Sequence, residues 1–416
     1  MKRIIPLGFL GLLAAGSTSA QSLYYLGTEA QESIPLKWVV GVNVIYDDNV
    51  SPGSVNSKGV VSKESSMGIN PSVAMSFVSI TPQTTWDVYV RLGLIYYFDA
   101  PDYMDDVNPQ TRAGVNMVHR FSERLRFSSR NFIAYELEPE YSSGYSSARQ
   151  TGAYLLWQTD NSIGFRWTER FATYTGLRLT DTSYADIPNN DRFTWEIYNQ
   201  VRFQLSPQTV LTGDYRYSQT TGNGLFSDTS DHYILVGAEH RFSPNTIGII
   251  RAGIQLHAVD NGDNSTSPYV EFALNSQINQ QFSVRSYARY GIETYNNIQS
   301  LENSLGVFHG VEFGDVQVLR IGISAEYAIA PKFSIFGGVD YLPSSFASGH
   351  WIDGPDRGLP VANQNTDIFN AYIGLSMKFN DYLTGTVSYN YTNSSSDFIG
   401  NDYNRNRISI GLSAEF

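Results

Sequence analysis

The chain has 416 residues, no cysteine and only 16% charged residues, against 28 Tyr, 23 Phe and 35 Gly. Without cysteine, thiol nucleophiles, Cys-ligated metal or iron–sulfur sites and a cysteine-linked lipid anchor are all excluded. A net charge of −12 argues against a nucleic-acid partner, whose phosphates demand a basic face.

Residues 1–20 have the form of an export signal. Lys2 and Arg3 are followed by a short apolar stretch, Ile4 to Ala15, and by the small residues Thr18-Ser19-Ala20, so cleavage is expected after Ala20. That stretch is too short to cross a bilayer as a helix, and no other run of about eighteen apolar residues follows. Losing Lys2 and Arg3 would take the net charge from −12 to −14. Residues 21–35 are too few for a domain. Residues 36–416 contain no Pro-rich or charge-rich linker and read as one unit.

From Leu36 onward one pattern repeats: strand, long polar loop, strand, tight turn. Leu36 to Asp47 alternates, with Trp38, Val40, Val42, Val44 and Tyr46 on one side and Lys37, Gly41, Asn43 and Asp47 on the other. This period of two is that of a strand with one apolar face. After a Ser/Gly/Asn loop, Ile69, Pro71, Val73, Met75 and Phe77 alternate again. Thr81-Pro82-Gln83 then turns into Trp86, Val88, Val90, Leu92, Leu94, Tyr96 and Phe98.

Tight turns recur at residues 121–124, 168–170, 206–208, 243–245, 279–281, 330–332 and 380–381. The intervening connections, such as Asp99 to Asn108, Asp181 to Asp191 and Leu342 to Thr366, are long and loaded with Asp, Asn, Ser and Gly. Short turns at one end and long loops at the other predict an all-β, antiparallel up-and-down transmembrane barrel. Eight turns join sixteen strands, and a free strand at each terminus makes eighteen; sixteen is the alternative. Two places leave the count open: Arg149 to Thr168, which has the length of one very long strand, and Asn303 to Phe313, an extra strand or a folded-in loop. Residues 21–35 would then be a short periplasmic segment.

Energetics assigns the faces. An Arg facing lipid near the midplane costs roughly 2–4 kcal/mol. Arg285 and Arg289 therefore point inward with Tyr287 and Glu293, leaving Val284, Ser286, Ala288, Tyr290 and Ile292 to the membrane. Likewise Arg320, Ser324 and Glu326 point in, and Leu319, Ile321, Ile323 and Ala325 point out. Aromatic pairs near strand ends, such as Trp38 and Tyr46, Trp86 and Phe98, Phe333 and Tyr341, and Phe379 and Tyr389, fit interfacial girdles. In the last strand Ile408, Ile410, Leu412, Ala414 and Phe416 share the outward face. An amphipathic final strand with a terminal aromatic resembles the signal read by the outer-membrane barrel-assembly machinery.

Tyr46-Asp47-Asp48-Asn49, Tyr135-Glu136-Leu137-Glu138-Pro139 and Arg166-Trp167-Thr168-Glu169-Arg170-Phe171 resemble the β-barrel porin type 2 family of Gram-negative outer-membrane barrels, over about Lys37 to Phe416. The resemblance implies the fold and the compartment, and implies function only through the barrel's shape. Some barrels of similar size are implicated in polysaccharide export, which gives an alternative.

The inward parity collects Arg91, Arg126, Arg130, Arg178, Arg202, Arg241, Arg251, Arg285, Arg289 and Arg320. Opposing them are Asp87, Glu136, Glu196, Asp214, Glu239, Glu271, Glu293 and Glu326. Such facing rows either set a transverse field that sorts solutes or simply satisfy one another across strands. Inward Tyr89, Tyr154, Tyr198, Tyr233, Tyr269 and Tyr287 are candidates for a sugar-stacking track.

Excess acid gathers in the loops, at Asp47, Asp48, Asp102, Asp105, Asp106, Asp186, Asp191, Asp228, Asp231, Asp260, Asp263, Asp353 and Asp356, where it would solvate the surface or bias entry toward cations. Asp260-Asn261-Gly262-Asp263-Asn264 lacks the spacing of a calcium loop. Leu342 to Thr366, with Trp351, Asp353 and Arg357, and Leu301 to Gly314 are candidate constriction loops.

No catalytic or cofactor motif is present, and the six His show no metal-ligand spacing, so neither enzyme activity, a cofactor nor a metal is expected. The function expected is passive diffusion of small polar solutes or sugars. The alternatives are a polysaccharide exit channel, with Tyr forming a continuous track, and a loop-plugged structural or adhesive surface barrel. Partners expected are outer-membrane lipid and the assembly machinery; the oligomeric state is not readable.

Overall fold

The computed structural model describes residues 33–50, 52, 63–101, 104–137, 141, 153–185, 191–222, 227–260, 262, 264–294, 298–303, 306–398 and 401–416. The export signal, its cleavage site, Asp102, Asp186, Asp263 and the Glu138-Pro139 motif residues lie outside them. Twenty strands follow in order: β1 Ile34–Asp47, β2 Ser66–Ile80, β3 Thr84–Tyr97, β4 Val107–Arg120, β5 Leu125–Glu136, β6 Tyr154–Arg166, β7 Phe171–Tyr184, β8 Arg192–Ser206, β9 Thr209–Gly222 and β10 Thr229–Ser243. Then come β11 Thr246–Val259, β12 Ser265–Gln277, β13 Phe282–Ile292, β14 Ile298–Glu302, β15 Phe308–Ala330, β16 Phe333–Trp351, β17 Pro360–Val361, β18 Gln364–Lys378, β19 Leu383–Ser396 and β20 Tyr403–Glu415.

Each strand pairs antiparallel with its neighbour, and β1 pairs with β20, so the sheet closes. β14 and β17 only edge the upper parts of β15 and β16. The wall is therefore eighteen strands. β6, from Tyr154 to Arg166, is one ordinary strand, and Asn303 to Phe313 contributes to a hairpin that rises above the eighteen wall strands and is not one of them.

The turns form where short polar side chains take over the job of the backbone. Ser122 Oγ accepts hydrogen bonds from the N–H groups of Arg124 and Leu125. Asn279 Oδ1 does the same for Gln281 and Phe282, and Asn380 Oδ1 for Tyr382 and Leu383. These local bonds reverse the chain before long-range pairing is needed.

The outer face is an apolar belt. Val40, Val42 and Val44 in β1, Ile234 and Val236 in β10, Ile321 and Ile323 in β15, and Ile373 and Leu375 in β18 are all exposed. So are all four aromatic pairs expected as girdles. A band of this extent around a closed sheet matches hydrocarbon, not water. Ile408, Ile410, Leu412 and Phe416 are exposed on the same face.

The seam between the chain's ends is tied by side chains as well as the ladder. Lys37 Nζ meets Glu415 Oε1 at 2.6 Å, and the Arg405 guanidinium grips the fully buried Asp47 carboxylate. Just above, Asp48 accepts from the Asn406 backbone N–H at 2.6 Å and its side-chain amide at 2.7 Å, with Lys63 Nζ 2.8 Å away. Partial burial would raise the Asp48 carboxyl, but the Asn406 hydrogen bonds and the Lys63 ammonium outweigh it and hold the carboxyl below its usual range.

Inside, aromatic rings lie flat across glycines directly opposite in register. Tyr89 covers Gly114, Tyr174 covers Gly164, Tyr198 covers Gly176, Tyr287 covers Gly322, and Tyr372 covers Gly338. A Cβ at Gly338 would sit 2.7 Å from the Tyr372 hydroxyl, so only glycine leaves room for the ring.

Two expectations need correction. Leu342 to Thr366 is not one loop, because β16 runs to Trp351. The alternation persists there, with buried Leu342 and Phe346 on the inward parity. Pro343, which has no N–H, stands where the β15–β16 ladder skips Leu319 and Arg320. Asp181 likewise belongs to β7, not to the loop after it.

Two outcomes are expected. Gly176→Ala should destabilise the barrel by about 1–3 kcal/mol through overpacking against Tyr198, read as a lower urea midpoint, whereas Gly213→Ala, with nothing near its Cβ, should not. Heat-modifiable gel mobility reports the folded fraction. Second, the lowered Asp48 carboxyl stabilises the seam above the unfolded carboxylate range, and that contribution is lost as pH falls through the folded value. The urea-midpoint gap between wild type and Asp48→Asn should therefore be present at neutral pH and close on acidification.

Candidate functional site

Strand alternation delivers every predicted lining residue to the face opposite the apolar belt, and register decides which of them meet. In one row, Arg130 is directly opposite Asp160, Asp160 opposite Arg178, and Arg178 opposite Glu196. The side chains pair accordingly, at 2.8 Å, 3.0 Å and 2.9 Å. A second row sets Arg251 opposite Glu271, Glu271 opposite Arg289, and Arg289 opposite Arg320. Glu271, with no exposed surface, joins Arg251 at 2.7 Å and Arg216 at 2.9 Å. Glu293 sits between the two adjacent arginines, meeting Arg320 at 2.7 Å and also pairing with Arg289. Arg202 pairs with Glu239, and Arg251 Nε lies 3.4 Å from Asp214.

The remaining lining residues stand differently. Arg91 is opposite Arg112, whose guanidinium forks onto Glu136 at 2.9 Å and 2.6 Å. Arg126 stacks over the Tyr174 ring at 4.8 Å, and Arg202 lies 5.7 Å from the same ring. Asp87 is opposite Asn116, Arg285 opposite Ser324, and Glu326 opposite Phe336. Arg241 sits at the turn end of β10.

Sequence reasoning missed Arg112, Asp160, Arg216, Asp340 and Arg405. Parity would have found most of them: Asp160 alternates with Gln158 and Ser162, and Arg216 with Asp214 and Ser218.

The inward tyrosines do not form a track of open faces. Tyr154, Tyr198 and Tyr269 are buried. Tyr198 lies against Gly176, donates to Asp160 at 2.7 Å and carries the Arg178 guanidinium 5.7 Å from its ring centre. Tyr269 donates to Glu271 at 3.1 Å.

Two features intrude on the lumen. The upper parts of β15 and β16, edged by β14 and β17, fold over the mouth. His257 at the upper end of β11 reaches the Gly314 carbonyl at 3.2 Å, and Ser265 of β12 donates to Asp315 at 3.0 Å. Ser227, before β10, gives its N–H and hydroxyl to the buried Glu312 carboxylate at 2.7 Å and 2.8 Å. Beneath this arch Phe313, Phe346 and Phe398 meet edge to face, with Val311, Val316 and Val318 buried around them. Of the constriction candidates, Trp351 packs on this cluster. The exposed Asp353 accepts from the Gly310 N–H and contacts His309, and Arg357 lies in the turn between β16 and β17.

The second feature is Tyr141, five residues past the end of β5, whose carbonyl accepts from Arg320 Nη1 at 2.7 Å. β5 and β15 are nine steps apart round the wall in either direction. Five residues reach at most about 17 Å, so Tyr141 stands well inside the cylinder.

No protein-family model matches the sequence, and no curated protein does. Among solved structures, the chain is similar to a BenF-like porin from Pseudomonas fluorescens, with 10% identity over 94% of this chain and 100% of that one, at a TM-score of 0.45. It is similar to OccK1 (OpdK) of Pseudomonas aeruginosa at 11% identity, 92% and 99% coverage and a TM-score of 0.45. It is also similar to the siderophore receptor PirA of the same organism, at 8% identity, 93% and 81% coverage and a TM-score of 0.40. These are similarities of barrel architecture only.

Removing one acid from the lattice takes a partner from two cations at once. Glu271→Gln should cost about 3 kcal/mol, because Arg216 and Arg251 both lose a fully buried partner. Denaturant titration of the refolded barrel measures it, and Glu326→Gln, whose carboxylate forms no ion pair within 4 Å among the described residues, should cost far less.

Proposed function

We propose that this chain is a porin-like channel of the Gram-negative outer membrane, through which small polar solutes diffuse down their gradients. The observation that carries this reading is the inner wall. It is lined by charged and hydrogen-bonding groups, in a ring of eighteen strands that is wider than the wall's side chains can fill. The assignment to the β-barrel porin type 2 family, and recognition of the final strand by the assembly machinery, belong to the same proposal. The apolar belt supports a lipid surrounding.

Residues act here by position and field, with no bond made or broken. The Arg–carboxylate rows hold charges of both signs at fixed places, and Tyr141 narrows the section near Arg320. The polysaccharide-exit reading loses support because several inward rings are spent on glycines and guanidiniums. The loop-plugged reading draws on the aromatic cluster at the mouth.

Planar-bilayer recordings separate these readings: discrete open steps are expected, and persistent silence of a folded barrel would overturn the channel. Arg320→Ala, which removes the donor to the Tyr141 carbonyl, should raise the single-channel conductance.

A further inference from the structure

The wall has two chemically distinct sectors. From β4 round to β13, rows of arginines and carboxylates neutralise one another, with Arg112, Arg130, Arg178, Arg202, Arg216 and Arg251 all ion-paired. From β16 to β19 the polar inward groups above the turn-end Lys378 and below the arch are hydroxyls, amides and one carboxylate, set among buried Phe336, Leu342, Phe346 and Ile368. Asp340 is the centre of this second sector. Its Oδ1 accepts from the Tyr287 hydroxyl at 2.8 Å and its Oδ2 from Asn370 Nδ2 at 3.0 Å. No cation lies within ion-pair distance of it among the described residues. Each oxygen therefore keeps an acceptor position, and the side chain is only half-buried.

The groups beside it extend the pattern. Asn370 Oδ1 accepts from Asn390 Nδ2 at 2.8 Å and from Thr392 Oγ1 at 3.0 Å, which fixes the amides in a chain running to Asp340. One residue row below, Tyr372 lies flat over Gly338. A ring flat against the wall turns its other face to the lumen, and Tyr372 is half-buried. The arrangement is a carboxylate acceptor, oriented amides and an aromatic face within one patch.

We propose that Asp340, Asn390 and Tyr372 form a subsite for a neutral polyhydroxylated ring, that is, a saccharide passing through the lumen. Its hydroxyls donate to Asp340 and exchange bonds with Asn390, while its C–H face lies on Tyr372. One carboxylate among neutral donors is poor in oxygens for a divalent cation, which takes six or more. The charged sector is a poor host for an anion where its arginines are already matched to carboxylates, as Arg130, Arg178, Arg216 and Arg251 are. This subsite rests on the channel reading and names its substrate class.

The test is block of ion current by maltose in planar bilayers, for wild type, Asp340→Asn and Asn390→Ala, each first shown to fold by heat-modifiable mobility. Maltose should interrupt the wild-type current. Loss of a hydrogen bond to a charged acceptor should raise the half-blocking concentration about tenfold in Asp340→Asn, with a smaller rise in Asn390→Ala. Equal block in all three proteins, or none in the wild type, overturns the subsite while open steps leave the channel standing. A shift in potassium-over-chloride selectivity in Asp340→Asn with unchanged maltose block marks a cation subsite and also overturns it. If no current appears, the channel reading fails, and titration calorimetry of maltose into the detergent-solubilised barrel decides the subsite: binding that weakens in Asp340→Asn supports it, and no binding ends it.

Discussion

In hydrocarbon no water is available for an unpaired N–H or C=O, so a sheet that crosses it must leave no edge. Pairing of β1 with β20 meets that demand, and the rest of the molecule follows from it. Lys37 and Glu415, 378 residues apart in sequence, become neighbours at 2.6 Å. Once the cylinder is closed, every strand residue is committed to lipid or lumen by a period of two. A slip of one residue would send a whole strand's charges into the membrane. The Asp47–Arg405 pair and the Asp48–Asn406 bonds act at the junction between the first and last strands, which neither a turn nor a loop joins directly.

The lumen inherits the polar half of each strand and must hold it without apolar filling. Cross-strand register does this by matching signs: Arg130, Asp160, Arg178 and Glu196 alternate on four successive strands. Such pairs add little net stability once desolvation is counted, yet losing one member leaves the other exposed to the full penalty. Their effect is to fix long side chains against the wall. Aromatic rings over glycines serve the same end, since a tyrosine opposite Gly176 or Gly338 lies down where a side chain would force it to stand.

Much of this was legible in the chain. Alternation fixed which residues face in, and Ser, Asn and Pro at the reversals marked eight hairpin turns and hence eighteen strands. What could not be read was anything set by partners across the ring. The pairing of Arg216 with Glu271, and the reach of Tyr141 to Arg320, depend on closure and on which loop bends inward. The continuation of β16 to Trp351 was hidden because Gly, Ser and Pro there read as a loop. The strand survives because Phe346 packs on Phe313 and Phe398, and those contacts come from three distant segments.

The division of the wall into two sectors separates scaffold from selectivity. Groups that satisfy one another, such as Glu293 between Arg289 and Arg320, have little left to offer a passing solute. Groups held only by neutral donors, such as Asp340, keep acceptor positions turned to the lumen and lose little by exchanging water for a solute hydroxyl. At the mouth the arch is fastened through Glu312 to Ser227 and through Gly314 to His257, and the phenylalanines beneath it are buried against one another, so they brace the arch and do not meet a passing solute. Selection therefore falls to the open patch below. A solute with both hydroxyls and a C–H face can meet Asp340 and Tyr372 there, whereas an ion passing Arg130, Asp160, Arg178 or Glu271 finds its counter-charge already engaged.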